Sequence, residues 1–266
     1  MADNKPLIGL SIVNTRASHQ AQALTAELAA LGATVLHYPA IRILPPLDPA
    51  PLDSALETLL NGGFDWLVLT SSNAVEILSQ RLLALGATNG LANSPVRVAA
   101  IGPATAEAAA RRLGIQASLI PEEFVAESLA MALALQARER ILLPQSDIAR
   151  PFLANALQTA GAAVTQVVAY RTLTGLGGDP LPQLFWEGRI DAITFTSPST
   201  VHNFLKRLKA EGGNAGMLVD VVVACIGAQT AAAAISHDLP GPLQSTESTV
   251  PALVHTLVQH FQERHR

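Results

Sequence analysis

The sequence predicts an α/β protein of two similar lobes, each a parallel sheet flanked by helices. Three observations predict it. Short apolar runs alternate with longer amphipathic segments, glycines close several of those segments, and blocks of sequence recur about half a chain apart.

Positions 7–13, 66–69, 96–101, 140–143, 192–195 and 221–226 are short and nearly continuously apolar, as strands covered on both faces must be. Helix-like stretches follow, at 21–31, 74–85, 105–113, 151–160 and 201–210. In the first of these Leu24, Leu28 and Leu31 fall on one helical face. Gly32, Gly114 and Gly161 come directly after three of the stretches and suit left-handed C-caps. Strands alternating with helices over short links imply parallel sheets with right-handed crossovers.

The recurring blocks argue for duplication. FDWLVLTSSNAV at 64–75 lines up with IDAITFTSPSTV at 190–201, 126 positions on, and IGPATA at 101–106 with IGAQTA at 226–231, 125 positions on. More weakly, 24–42 with Gly32-Ala33 matches 153–171 with Gly161-Ala162 at a spacing of 129. The repeat leaves two pairings open. Tandem halves would break near position 130. Alternatively the first strand–helix unit joins the last block while the middle forms its own lobe.

Composition sets the function classes. Hydrophobic residues make up 49% of the 266 and charged residues 14%, so a filled core is expected and disorder is not. Aromatics are 4%, which leaves Ala, Leu, Val and Ile to build that core. A net charge of −4 with scattered Lys and Arg gives no footprint for nucleic acid. Cys225 is the only cysteine, which excludes an intrachain disulfide and a cysteine metal cage and fits a reducing cytoplasm. The beginning of the chain lacks a basic segment feeding an apolar one, and no apolar run is long enough to span a bilayer. A cytoplasmic protein with no membrane partner is expected. There is no Walker A pattern, no G-x-G-x-x-G entering a helix after a strand and no G-x-S-x-G elbow. The histidines, including His255, His260 and His265, lack metal-ligand spacing, so no metal site is expected from them.

What remains is small hydroxyls at strand ends. Thr70, Ser71 and Ser72, then 102–105 with Thr105, then 196–200 with Ser197 and Ser199, then 227–230 with Thr230, each sit between a strand and a helix. Ligands of open parallel sheets bind at the carboxyl ends of the strands, where helix N-termini offer free N–H groups to anions. Ser and Thr are also preferred N-caps, so one such turn alone is better explained by capping. Four turns in two related pairs, on facing lobes, point to a large polyanion. Gly102 and Gly227 would let a ligand approach the backbone. Arg16, after the first strand, is either a fork for a carboxylate or a solvated surface residue. Tyr170, one of two tyrosines with Tyr38, lies in a connector-like segment and could be an aromatic plug with its hydroxyl satisfied by backbone.

In order and spacing these motifs resemble the uroporphyrinogen-III synthase family. The match runs from Thr15-Arg16 through 70–75, 100–106, 161–172, 195–201 and 225–231. It departs at Gln145-Ser146, where the family often has Arg-Gly, and at Gly227-Ala228, where it often has Gly-Pro. The resemblance implies the discontinuous pairing: one lobe of 1–36 plus 173–266, another of 41–168, and a two-stranded β connector of 37–40 and 169–172. It implies a monomeric, cofactor-free lyase that closes hydroxymethylbilane, a linear tetrapyrrole polycarboxylate, into uroporphyrinogen III with ring D inverted through a spiro intermediate. Tyr170 matches the family's proposed general acid. Arg16, Ser71, Ser72, Thr105, Ser197, Ser199 and Thr230 are then expected to position substrate. The competing reading is a two-lobed anion-binding module without catalysis.

Overall fold

The structure is a computed structural model that describes residues 5–133 and 138–264. Positions 1–4 and 265–266, His265 among them, and 134–137 within the 41–168 span lie outside the described residues. In chain order the first elements are β1 (Ser11–Asn14), α1 (Ala21–Ala30), β2 (Thr34–His37), β3 (Ile41–Leu44), α2 (Ala50–Leu60), β4 (Trp66–Leu69) and α3 (Ser72–Ala84). There follow β5 (Arg97–Ala100), α4 (Pro103–Leu113), α5 (Ala126–Ala132), β6 (Arg140–Ser146), α6 (Phe152–Thr159) and β7 (Ala163–Thr174). The chain continues with α7 (Leu181–Trp186), β8 (Ala192–Phe195), α8 (Pro198–Ala210), β9 (Val222–Cys225), α9 (Ala228–Ser236), β10 (Leu243–Gln244) and α10 (Val250–Arg264).

Two compact units result. Unit 1 is Met1–Arg42 with Leu173–Arg266, and unit 2 is Ile43–Thr172. Unit 1 holds a parallel sheet in the order β10-β9-β8-β1-β2. The second sheet runs β3-β7-β6-β4-β5. Its last four strands are parallel, and β3 on the edge makes the sheet mixed rather than wholly parallel. The chain passes from one unit to the other within β3 and β7, which are neighbours in the second sheet.

The duplicated blocks take equivalent places. β2-β1-β8-β9 in unit 1 matches β7-β6-β4-β5 in unit 2. Even β10 has a counterpart, a single parallel bridge from Ala99 to Leu119. Each sheet carries a core on both faces. In unit 1 Val13, Ile193, Phe195 and Phe204 lie on one side and Ile12, Leu24, Leu28 and Leu253 on the other. In unit 2 Leu67, Leu69, Val75 and Leu78 oppose Val68, Leu143, Leu153 and Leu157. β4 and β8 are buried at every residue, which is why their sequences show no alternation. Gly32, Gly114 and Gly161 all have positive φ, so each ends its helix as a left-handed residue.

Most element bounds shift by a residue or two. The larger correction is at the first strand. Residues 7–10 form a turn in which the Leu10 N–H donates to the Leu7 carbonyl and Gly9 takes φ +81°, so the strand begins only at Ser11. Leu7 is apolar because it is buried beside α1, with its N–H donating to Leu31, rather than because it lies in a strand.

Within unit 1 the segment at 37–40 is clamped to that at 175–179. The buried Arg207 guanidinium donates to the carbonyls of Pro39 and Gly177, at 2.8 and 2.6 Å, and lies over the Tyr38 ring at 3.7 Å. Gly175 is obligatory there, because a Cβ would sit 1.7 Å from the Pro39 carbonyl oxygen. Tyr38 is wholly buried and its hydroxyl donates to Glu211 at 2.9 Å. This tyrosine is a structural pin.

Candidate active site

Parallel strands put all their carboxyl ends on one edge of a sheet, and the expected residues gather at that edge within each unit. In unit 2, β4 and β5 are neighbours, joined at their ends by the Ile101 N–H donating to Leu69 at 2.9 Å. Ser71 and Ser72 open α3 there, and Thr105 lies in the first turn of α4. In unit 1 the Ile226 N–H donates to Phe195 in the same way, also at 2.9 Å. Ser197 and Ser199 open α8 and Thr230 lies in the first turn of α9. Arg16 follows β1, the neighbour of β8, and the adjoining Thr15 hydroxyl donates to the Thr194 carbonyl at 2.6 Å.

Ser71 is the N-cap of α3. Its Oγ accepts from the N–H groups of Asn73 and Ala74, at 3.0 and 3.2 Å, and lies 3.0 Å from the Tyr170 hydroxyl. A serine oxygen has two lone pairs. Both are taken by backbone N–H groups, so the Ser71 hydroxyl donates its hydrogen to Tyr170 Oη. Asn73 also hydrogen-bonds this phenol, in the sense that favours its ionised form. Burial of Tyr170 pushes the phenol above its usual range, and the bonds from Ser71 and Asn73 pull it back. The phenol is therefore protonated at neutral pH, accepts through its oxygen and keeps its own hydrogen to donate.

The turn opening α8 closes on itself. Ser197 Oγ accepts from the Thr200 N–H at 3.2 Å and lies 2.9 Å from Ser199 Oγ, while the Ser197 N–H donates to Thr200 Oγ1, completing a capping box. Thr105 and Thr230 are buried, and among the described residues neither hydroxyl makes a side-chain hydrogen bond. Arg16 is not a solvated surface residue. Its Nε is shielded from solvent and has no partner among the described residues, and burial lowers its pKa. A buried guanidinium N–H without an acceptor is costly and invites an anion.

The structure corrects one expectation and adds two residues. Gly102 and Gly227 make room for protein rather than ligand. A Cβ at Gly102 would meet the Phe124 ring at 3.2 Å, and one at Gly227 would meet Ser248 Oγ at 2.6 Å. The additions are Asn73, bonded to Tyr170, and Asp147, whose N–H donates to the Tyr170 carbonyl at 3.0 Å. Asp147 Oδ1 accepts from the Ser146 hydroxyl and the Thr172 N–H, both at 3.0 Å. Asn73 follows Ser71-Ser72 directly, which is the signal that would have found it.

These features define an α/β protein of two duplicated units whose hydroxyl-bearing helix ends line the carboxyl edge of each sheet. A family model described as "Uroporphyrinogen-III synthase HemD" matches residues 22–255. A uroporphyrinogen-III synthase of Synechococcus elongatus is 37% identical over 232 residues, covering 85% of this chain and 86% of that protein. The porphyrin biosynthesis protein HemD of Ruminiclostridium josui is 29% identical over 259 residues, and the match spans 96% of this chain and about half, 49%, of that protein. Among solved structures, a mutant uroporphyrinogen III synthase of the extreme thermophile Thermus thermophilus shares the fold with a TM-score of 0.66 at 22% identity, covering 96% of this chain and 100% of that one. The chain belongs to the uroporphyrinogen-III synthase family. It is an enzyme of porphyrin biosynthesis, a cyclising lyase.

Proposed function

We propose that this enzyme dehydrates and cyclises hydroxymethylbilane to uroporphyrinogen III with ring D inverted, with Tyr170 as the proton donor. The observation that carries the reading is the buried Tyr170 phenol, 3.0 Å from Ser71 Oγ and bonded also to Asn73, both in the sense that favours its ionised form. The hydroxymethyl C–O bond breaks as the leaving hydroxyl takes the phenol hydrogen and departs as water. The Ser71 and Asn73 bonds stabilise the phenolate left behind. The resulting azafulvene cation is reactive enough to close unaided to the symmetric isomer, so the enzyme must orient ring D to attack from its substituted carbon. Substrate carboxylates are held by Arg16, by Ser72 and Ser199, and by Thr105 and Thr230, while Ser71 and Ser197, whose hydroxyls are already engaged, fix the turns that present them. Each charge-assisted contact contributes roughly 1–3 kcal/mol. Backbone N–H groups at helix ends suit this task in a chain of net charge −4, which has no basic surface to spare.

No helix among the described residues is long and apolar enough to cross a membrane. A monomer working in the cytoplasm without a cofactor completes the proposal. The test is incubation with hydroxymethylbilane and chromatographic separation of the type I and type III products. Excess type III supports the reading. Type I alone, at the spontaneous rate, leaves an anion-binding module.

A further inference from the structure

The repeat that relates the two units also relates two contacts that tie the helices after the hydroxyl turns. In unit 2, Glu76 of α3 pairs with Arg112 of α4, Oε2 to Nε at 3.2 Å. The spacing of 126 carries Glu76 onto His202 of α8, and the spacing of 125 carries Arg112 onto His237 at the end of α9. Those two residues also touch. His202 Nδ1 lies 2.5 Å from His237 Nε2, with the rings 4.7 Å apart at 74°. The same helix-to-helix link is thus an ion pair in one unit and two imidazoles in contact through ring nitrogens in the other.

We propose that His202 and His237 form a bidentate site for a divalent transition-metal ion of tetragonal preference, Cu²⁺ or Ni²⁺, joining α8 to α9. Imidazole nitrogens suit these ions. Two nitrogens at about 2.0–2.1 Å from a metal and about 90° apart lie about 2.9 Å from each other, so the nitrogens part by about 0.4 Å and the rings turn to face the ion in place of each other. A tetrahedral ion such as Zn²⁺ separates them to about 3.4 Å and fits less well. Only the neutral rings ligate. On binding, the hydrogen between the rings moves to the outer nitrogen of the ring that carried it, so each ring stays neutral. Among the described residues no third His, Cys, Asp or Glu completes a cluster of three around an ion. Water fills the remaining positions, and the ion exchanges freely.

Calorimetric titration of the full chain with NiCl₂ tests this, alongside His202→Gln, His237→Gln and the double variant His202→Glu/His237→Arg, which installs the ion pair of unit 2. One Ni²⁺ is expected per wild-type chain with micromolar affinity. Each single variant is expected to bind at least about tenfold more weakly, as loss of a direct ligand outweighs loss of an outer partner. The double variant should melt at the wild-type temperature without metal and take up no Ni²⁺, which separates loss of ligation from loss of folding. Unchanged affinity in either single variant, uptake by the double variant, or no wild-type binding below millimolar Ni²⁺ would each overturn the site.

Discussion

In unit 2 the Ser71 hydroxyl caps α3 and holds the Tyr170 phenol, whereas in unit 1 the Ser197 hydroxyl caps α8 and turns back on Ser199 and Thr200. Both serines satisfy N–H groups that every helix start leaves open. That duty was kept in both copies. What differs is the spare hydrogen-bonding capacity of the serine, spent on a phenol in one copy and on its own turn in the other. The tyrosines divide in the same way. Tyr38 is locked between Arg207, Phe204 and Glu211, with its pKa raised by burial and by the bond to Glu211, while Tyr170 keeps a hydrogen to donate.

Four substitutions probe this contrast. Tyr170→Phe is expected to lower type III formation on the order of 10²–10⁴-fold, the usual worth of a general acid, while spontaneous closure raises the type I share. Wild-type turnover with an unchanged isomer ratio would remove Tyr170 from the reaction. Ser71→Ala and Ser197→Ala should each cost about 1 kcal/mol in urea unfolding, as lost caps do. Only Ser71→Ala should also depress turnover; equal rates in the two variants would erase the proposed asymmetry. The smallest effect is expected from Tyr38→Phe, about 1 kcal/mol of stability for one lost hydrogen bond, with the isomer ratio untouched.

The α/β class, most of the paired strands and the duplication were legible because strands covered on both faces read as unbroken apolar runs and the turns that follow them repeat. Other elements left weaker signals. β7 alternates Thr and Gln with Val, with several exposed positions, so only its end stood out as a connector. α2, absent from the helix-like stretches read from the sequence, is capped by Pro49 and carries Pro51 in its first turn, where proline is at home. Leu7 shows the opposite error, a buried apolar residue taken for strand when Gly9 turns the chain. The Ser71–Tyr170 bond joins residues 99 apart, and nothing local in the sequence brings them together. The individual residue types were visible, but their pairing belongs to the sheet order.

The arrangement of unit 1 bears on how the polypeptide matures. β1 lies between β2 and β8, and its end contacts join residues about 180 apart, Ser11 to Asp191 and Thr15 to Thr194. During synthesis the opening strand–helix–strand must wait for its central neighbour β8 until the whole of unit 2 and the α7 segment have been made. At about 5–20 residues per second that delay is on the order of ten seconds or more. Unit 2 is continuous in sequence and can complete its sheet in the meantime. The nascent chain therefore assembles its middle first and closes its two ends together last.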